Sequence, residues 1–240
     1  MADISPASLQ RELPRSMRQA TVVLSGVDAA RLAIPGSWRE VLARQGDAGE
    51  ASWPAEWGGV AELFPSVMRF FEQKLVVAAV LDREGTASLL YAMAIEGKIA
   101  FYRGRPPVMH IPDALKDDWP RVPPLVRSFY QTVHDGWTFI YGDSSGPLPL
   151  TDWGVLSDRI EDADCDVVDL NFDAHRIRTV FHNGAGDCLC LDFDRLDAQG
   201  CASGAIWWHE KPNEIKRVDF AATLNAWTQV TLAEADEIDR

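Results

Sequence analysis

Three apolar segments in the first half of the chain constrain its fold more than any other feature of the sequence. They are separated only by Arg83-Glu84-Gly85 and by Glu96-Gly97. Breaks this tight between apolar segments are typical of antiparallel hairpins. The sequence therefore predicts a β-meander over Lys74–Asp82, Thr86–Ile95 and Lys98–Tyr102.

The residues before the meander predict helices and one further strand. Thr21–Val27 is a short apolar strand candidate, and a helix is predicted to begin at Ser37, where Glu40 completes a capping box. Within Ala61–Gln73, apolar side chains recur near helical spacing and predict another helix. The N-terminal half is therefore predicted to be an α+β region with a β-meander.

A proline-rich stretch from Arg105 to Pro124 divides the chain. Its six prolines remove backbone donors and favour extended conformations, so this stretch is the candidate linker. We predict a flexible N-terminal segment over residues 1–19, an N-terminal α+β region over residues 20–116 and a separate domain over residues 117–240.

The last 124 residues predict strands between two helices. Leu125, Phe129 and Val133 fall on one helical face, and Asp135-Gly136 is predicted to end that helix. Asp219 can cap a closing helix whose Phe220, Leu224 and Trp227 share a face. The predicted strands are Trp137–Tyr141, Ile177–Phe181, Cys188–Phe193 and Ala205–His209.

Negative charge is concentrated in one segment. The sequence carries 36 Asp and Glu against 23 Lys and Arg, a net charge of −13. Residues 134–200 hold 14 Asp or Glu and four Arg, a net charge of −10, which leaves −3 for the rest of the chain. This balance disfavours binding to nucleic acid, which relies on Lys and Arg. A basic protein partner is expected instead.

Neither an export signal nor a membrane-spanning segment is expected. The longest apolar run, Leu75–Leu81, has seven residues, whereas a membrane-spanning helix needs roughly 20. The sequence therefore predicts a cytoplasmic protein that does not bind a membrane. Because the cytosol keeps most thiols reduced, we expect no disulfides. The cysteines are Cys165, Cys188, Cys190 and Cys201.

The segment from Gly142 to Gly146 fits the G-x-S-x-G spacing of a nucleophile elbow, with Ser144 at the nucleophile position. Such an elbow needs a helix directly behind the serine, but Pro147 and Pro149 follow. A turn or partner-contacting loop is therefore the preferred interpretation. A serine hydrolase that uses Ser144 is the alternative.

Two groups of side chains could supply metal ligands. The alternation of cysteine and leucine over residues 188–191 favours a strand buried on both faces over a zinc site. Alternating aspartates over residues 162–166 lack the glycine of a tight calcium loop. We therefore predict no metal and no cofactor. The zinc candidates are His182, Cys188, Cys190, Cys201 and His209, and the cation candidates are Asp162, Asp164, Asp166 and Asp169.

Aromatic residues are interleaved with acidic ones early in this acidic segment. Core packing is the preferred interpretation of Trp137, Tyr141 and Trp153, and interface anchors are the alternative. His134 and His175 are predicted to be loop or surface residues.

Over about residues 117–236, the order of these motifs resembles the SUKH superfamily, the Smi/Knr-like proteins. The first helix and its turn, the Gly-Asp hairpin leading into a Leu-Asp strand, the Ile206-Trp207 strand and the closing helix each resemble a family motif. The residues that carry the resemblance are Phe129, Asp135, Gly136, Trp137, Gly186, Asp187, Asp192 and Trp207.

The resemblance implies a mixed, mainly antiparallel sheet with flanking helices in the C-terminal half, and thus an α+β fold. Members of the superfamily mostly act as immunity proteins that neutralise polymorphic toxins, many of them nucleases or nucleic-acid deaminases, without a shared catalytic site. It therefore implies a non-catalytic immunity protein. A regulatory or scaffold protein of the Smi/Knr-like kind is the alternative.

The acidic segment is the expected contact surface for a basic toxin domain. Its carboxylates would compete for the Lys and Arg that hold phosphates in such a toxin. The predicted partner-binding residues are Asp143, Trp153, Asp158, Glu161, Asp162, Asp164 and Asp166.

Overall fold

The computed structural model describes residues 5–48, 51–95, 98–162 and 170–234. Two antiparallel sheets and several helices confirm the predicted α+β class. The strands are β1 (Thr21–Val23), β2 (Leu75–Arg83), β3 (Thr86–Ile95), β4 (Lys98–Arg105), β5 (Asp135–Phe139), β6 (Ile177–His182), β7 (Cys188–Leu196), β8 (Ala202–Trp207) and β9 (Ile215–Val218). The α-helices are α1 (Pro6–Glu12), α2 (Gly26–Ala29), α3 (Gly36–Ala48), α4 (Pro65–Lys74), α5 (Pro124–Ser128), α6 (Leu156–Asp162) and α7 (Phe220–Glu234).

The first sheet has the strand order β1-β2-β3-β4-β5, and each strand is antiparallel to its neighbours. Arg83 of β2 pairs with Thr86 of β3, and the two residues between them, Glu84 and Gly85, have φ of 53° and 82°. Positive φ at both central residues is the signature of a type I′ turn, whose twist suits a hairpin. The predicted meander β2-β3-β4 is confirmed.

The second sheet has the strand order β6-β7-β8-β9 and is also antiparallel. β7 lies inside it, and its first six residues are buried on both faces. The strands predicted over Ile177–Phe181 and Cys188–Phe193 correspond to β6 and β7. Helices cover both sheets, and among the described residues none combines the length and apolar content needed to cross a bilayer.

The two helices predicted in the C-terminal half form, but the first is irregular. α7 begins where expected, because Asp219 Oδ1 accepts a hydrogen bond from the Ala222 N–H at 2.8 Å. In contrast, α5 ends at Ser128 and a π-helical turn continues to Val133, closed by the His134 N–H donating to the Phe129 carbonyl at 3.0 Å. This wider turn buries Phe129, Tyr130 and Val133 together.

One large apolar core contacts both sheets. Trp57 lies near its centre, is fully buried and has six aromatic neighbours with ring centroids within 6.3 Å. Residues on both sides of the predicted boundary after residue 116 belong to this core, and β5 pairs with β4 across it. The predicted boundary therefore does not divide the apolar core into two separate cores. The neighbours of Trp57 are Phe64, Phe71, Tyr91, Phe129, His134 and Trp137.

Residues 5–19, in the segment predicted to be flexible, pack against one face of the first sheet. Ser5 caps α1 by accepting a hydrogen bond from the Ser8 N–H at 3.2 Å. Leu9, Leu13 and Met17 are buried in a second core with side chains of β2 and β3. The sequence predicted a flexible segment because the packing partners of Leu9, Leu13 and Met17 lie far away along the chain. The pattern within residues 1–19 alone does not indicate those partners.

Candidate functional site

The segment over residues 144–148 joins the two sheets edge to edge. Its backbone hydrogen bonds run to β5 on one side and to β6 on the other. It therefore serves as a short connecting strand, and the two sheets form one hydrogen-bonded surface. The four bonds run from Phe139 N to Ser144 O (2.9 Å), Trp137 N to Pro147 O (2.8 Å), Ser145 N to His182 O (2.7 Å) and Leu148 N to Val180 O (2.9 Å).

Ser144 lies at the start of this connecting strand, and its geometry differs from that of a nucleophile elbow. Asp143 and Ser145 on either side have positive φ of 48° and 61°, and no helix follows directly. The Ser144 Oγ lies 3.5 Å from the Ser145 Oγ, and no histidine among the described residues forms a hydrogen bond with it. A nucleophilic serine needs a base within hydrogen-bonding distance. This arrangement therefore does not support Ser144 as a nucleophile.

The purified protein should show no hydrolytic activity that depends on Ser144, because the Ser144 hydroxyl lacks a general base. Wild type and Ser144→Ala should therefore behave alike. Panels of ester and peptide substrates, assayed with both proteins at equal concentration, test this expectation. Turnover by the wild type that disappears in Ser144→Ala would establish the hydrolase alternative.

Four of the residues that carry the resemblance, those at the first helix and its turn, set the path of the chain into β5. Asp135 Oδ1 accepts a hydrogen bond from the Leu150 N–H at 2.7 Å, and burial raises the pKa of this carboxyl group. Gly136 follows with φ of +77°, while Phe129 and Trp137 are buried in the large core. These four residues have a structural role here.

Gly186 and Asp187 belong to the loop between β6 and β7. Asp187 Oδ1 accepts hydrogen bonds from His209 Nδ1 at 2.8 Å and from the His209 backbone N–H at 3.2 Å. Asn183 Nδ2 donates to the other carboxylate oxygen at 2.8 Å. Gly186, with φ of +107°, lies directly beside the His209 ring. The Gly-Asp pair thus ties this loop to the residues that follow β8.

Asp192 and Trp207 stabilise the second sheet from within. The Asp192 carboxylate is almost completely buried and forms a short ion pair with Arg217 of β9. The Trp207 indole is also buried, and its Nε1 donates to the Pro212 carbonyl at 3.2 Å. Both side chains hold the β8-β9 edge, so neither is available to a partner.

Several acidic residues of the segment 134–200 are paired inside the protein. Asp143, although exposed, lies 2.6 Å from Arg103 of β4, and Asp152 lies 3.5 Å from Arg105 of the same strand. With the contacts of Asp187 and Asp192, four carboxylates have cationic or imidazole neighbours. The predicted partner residue Asp143 is thus accessible but partly neutralised.

Helix α6 presents carboxylates that have no such neighbour. Leu156 and Ile160 are buried four positions apart, so the opposite side of the helix faces solvent. Asp158 and Glu161 are exposed there, and neither forms an ion pair with another described residue. Arg159 instead faces the sheet, where its charge acts on the Cys188 thiol. Of the other predicted partner residues, the Asp162 side chain, Asp164 and Asp166 lie outside the described part of the chain.

Trp153 differs from the prediction that it contacts a partner. Its ring is 5% exposed, and its Nε1 donates to the Tyr130 hydroxyl at 3.1 Å and to the Leu148 carbonyl at 3.3 Å. Its removal would create a cavity rather than remove an exposed anchor. Core packing, the preferred interpretation for this aromatic set, applies to Trp153.

His134 is also placed differently from the prediction, because it is fully buried rather than in a loop or at the surface. Its Nε2 lies 2.6 Å from the Tyr91 hydroxyl, which also accepts a hydrogen bond from Trp57 Nε1 at 2.9 Å, and its Nδ1 lies 3.0 Å from the Arg105 carbonyl. Burial lowers the pKa of His134 to about 3. The sequence contains little indication that His134 is buried, because an Asp-Gly turn directly follows it.

The described cysteines have the properties of structural thiols. Cys188, Cys190 and Cys201 are buried and unpaired, and burial raises the pKa of Cys188 to about 11. Thiolates are the form that binds metals or attacks electrophiles, and this shift suppresses them at neutral pH. No three His, Cys, Asp or Glu side chains within residues 5–48, 51–95, 98–162 and 170–234 form a metal-binding cluster. Cys165 lies outside those residues.

Comparisons of this chain with protein-family models, with curated proteins and with solved structures find no match.

Proposed function

We propose that this protein is a non-catalytic binding protein, an immunity protein that neutralises a cognate polymorphic toxin through an acidic surface centred on α6. One observation carries the proposal. Asp158 and Glu161 are exposed on one helix and form no ion pair with a described residue, whereas Asp143, Asp152 and Asp192 of the same segment are paired with Arg103, Arg105 and Arg217. Exposed carboxylates that are not neutralised by an internal ion pair can attract a basic surface.

The proposed mechanism is electrostatic and steric competition. A toxin that cleaves or deaminates nucleic acid needs Lys and Arg in its substrate groove to hold phosphates. Carboxylates presented on a short helix can form ion pairs with those cations and so exclude the substrate without any chemistry. The resemblance to the SUKH superfamily, over about residues 117–236, supports this choice among acidic binding proteins.

The double variant Asp158→Asn with Glu161→Gln should associate with the cognate toxin domain more slowly. Charges of this kind mainly accelerate encounter, so we expect the association rate constant to fall about three- to tenfold at low salt. The difference should shrink as salt rises, since exposed charges are screened over about 8 to 10 Å at physiological ionic strength. Stopped-flow or surface-plasmon measurements over a salt series give both rate constants.

The matched control is Glu40→Gln with Glu72→Gln, which removes the same charge from exposed positions on α3 and α4. It should bind nearly as fast as wild type. Equal slowing in both double variants would mean that net charge, and not the α6 surface, governs association. Unchanged rates for the α6 variant at every salt concentration would reject that surface.

Co-production in bacteria tests the immunity role itself. The toxin to use is the product of the gene directly upstream of this one, because toxin and immunity genes are normally adjacent. The protein should restore growth when that toxin is induced. A toxin that remains lethal, combined with stable binding to a host protein, would favour the regulatory or scaffold alternative.

A further inference from the structure

An open pocket lies at one end of the second sheet, where β7 turns into β8 and β9 leads into α7. Its volume is about 450 Å³. Its apolar walls include Leu63, Leu125, Val126, Val218 and Phe220. Sites for small molecules are usually clefts of about 300 to 1,000 Å³ with mainly apolar walls and a few polar groups. The pocket therefore has the size and the lining of a small-molecule site.

The close approach of β8 to the start of α7 fixes one side of this pocket. A Cβ added to Gly204 of β8 would lie 2.7 Å from the Val218 carbonyl oxygen and 2.8 Å from the Phe220 nitrogen. Only a glycine at this position lets the two elements pack so closely. Phe220 and Leu63 also belong to the large apolar core, so these walls are anchored in the interior of the protein.

The charges of the pocket favour a cation. Asp197 and Asp219 line it, and none of the other described residues in the lining carries a charge. Two carboxylates thus act on a mainly apolar space, where an electrostatic interaction is stronger than in open water. A positively charged ligand would be attracted to this pocket, and an anion would be repelled.

Each of the two carboxylates has one oxygen available to a ligand. Asp197 Oδ1 accepts hydrogen bonds from the backbone N–H groups of Gln199 and Cys201, both at 2.8 Å. Asp219 Oδ1 accepts the hydrogen bond from the Ala222 N–H that caps α7. These bonds hold both side chains in place. Neither Oδ2 forms a hydrogen bond or an ion pair with another described residue.

We propose that this pocket binds a small organic cation, a molecule that joins an ammonium or guanidinium group to an aliphatic or aromatic body. The body would lie against Leu125, Val218 and Phe220, and the cationic group would lie at Asp197 or Asp219. Such a ligand gains from the burial of its apolar body and from the carboxylate charge. A neutral apolar molecule gains only from the first of these, and a small polar cation only from the second.

The pocket is separate from the surface proposed to bind a toxin. Leu156 and Ile160 of α6 pack in one apolar cluster with Cys190 of β7, whereas Phe220 of the pocket packs in the large core with Leu191. Neighbouring residues of a strand point to opposite faces of a sheet. α6 and the apolar walls of the pocket therefore pack against opposite faces of the second sheet.

NMR titration of the isotope-labelled protein with phenethylammonium tests the proposal. This cation should shift the backbone amide signals of Ser203, Gly204 and Phe220. It should also bind at least about fivefold more tightly than phenethyl alcohol or hydrocinnamate, which have a similar body without the positive charge. Methylammonium has the charge without the body and should bind more weakly than phenethylammonium.

The double variant Asp197→Asn with Asp219→Asn removes both charges from the pocket. The amide oxygen of Asn can still accept the backbone hydrogen bonds, so the fold should be retained. Phenethylammonium should then bind no more tightly than phenethyl alcohol. The matched control, Glu40→Gln with Glu72→Gln, removes the same charge from exposed positions outside the pocket and should keep the wild-type preference for the cation.

Three results would overturn the proposal. The first is equal or tighter binding of phenethyl alcohol or hydrocinnamate to the wild type, and the second is a cation preference that survives in the double Asn variant. The third is a pocket whose signals respond to a lysine-containing peptide but not to phenethylammonium, because the occupant would then be a protein segment. Each of these would leave the proposed toxin binding through α6 untouched, since that proposal is tested with a different surface and partner.

Discussion

Gly146→Ala should lower the free energy of unfolding by about 3 kcal/mol or more. A Cβ at this position would lie 1.9 Å from the Trp137 carbonyl oxygen, far closer than real Cβ contacts, and 3.0 Å from its carbonyl carbon. The backbone cannot easily move aside. Its neighbours in the connecting strand are hydrogen-bonded to β5 and to β6, so a shift breaks the junction between the two sheets. Urea unfolding followed by tryptophan fluorescence measures the loss.

Gly58→Ala is the matched control for this substitution. No atom lies within 4 Å of the Cβ it would add, so it should stay within about 0.5 kcal/mol of wild type. A Gly146→Ala protein as stable as this control would mean that the connecting strand can shift without cost. The two sheets would then be less tightly joined than their hydrogen bonds indicate.

The free energy of unfolding should begin to fall as the pH drops below about 6.5, before most carboxyl groups titrate. His134 should account for much of this loss. Burial lowers the pKa of His134 from 6.5 to about 3. Between these two pH values the unfolded chain binds a proton that the folded protein does not. The contribution of neutral His134 to the free energy of unfolding is therefore fully present above about pH 6.5. It falls by about 1.4 kcal/mol for each pH unit below that value. At pH 5 the loss is about 2 kcal/mol.

His134→Gln should flatten this pH dependence. The variant is expected to be less stable than wild type at neutral pH, because its side chain cannot reproduce both imidazole contacts with Tyr91 and Arg105. Its unfolding free energy should nevertheless change less between pH 7.5 and pH 5, by about 2 kcal/mol. Urea titrations at several pH values give the slopes directly.

A second histidine serves as a reference in the same experiment. His182 is half-buried, and burial lowers its pKa to about 4, so His182→Gln should remove a further part of the slope with the same sign. If His134→Gln keeps the wild-type slope, the buried imidazole is already protonated in the folded protein or is not buried in solution.

Part of the candidate site followed from the local excess of negative charge, which predicted Asp158 and Glu161 as partner-binding residues. The helix that carries them, α6, was not predicted, and its buried Leu156 and Ile160 place both carboxylates on the outer side. The pairing of other carboxylates did not follow in this way. Asp143 and Arg103 are 40 positions apart, and Asp192 and Arg217 are 25 apart. Such pairs depend on strand neighbours that no spacing rule contains.

The sequence by itself determined the features that short-range geometry controls. The Glu84-Gly85 break is a two-residue turn with positive φ at both positions, and this allows one hairpin geometry. The α7 start is likewise local, because Asp219 caps an N–H only three residues away. The class of the fold follows from the number and spacing of such elements.

The tertiary structure alone decided which side chains are buried between elements and how the sheets meet. His134 and Trp153 are next to charged residues in the sequence, yet both are buried because α3, β3 and the connecting strand supply aromatic and carbonyl partners from elsewhere in the chain. The junction at residues 144–148 likewise needs β5 and β6 already in place on either side. Burial and strand pairing are properties of the whole packed chain, and a local pattern gives only one of the surfaces that must fit together.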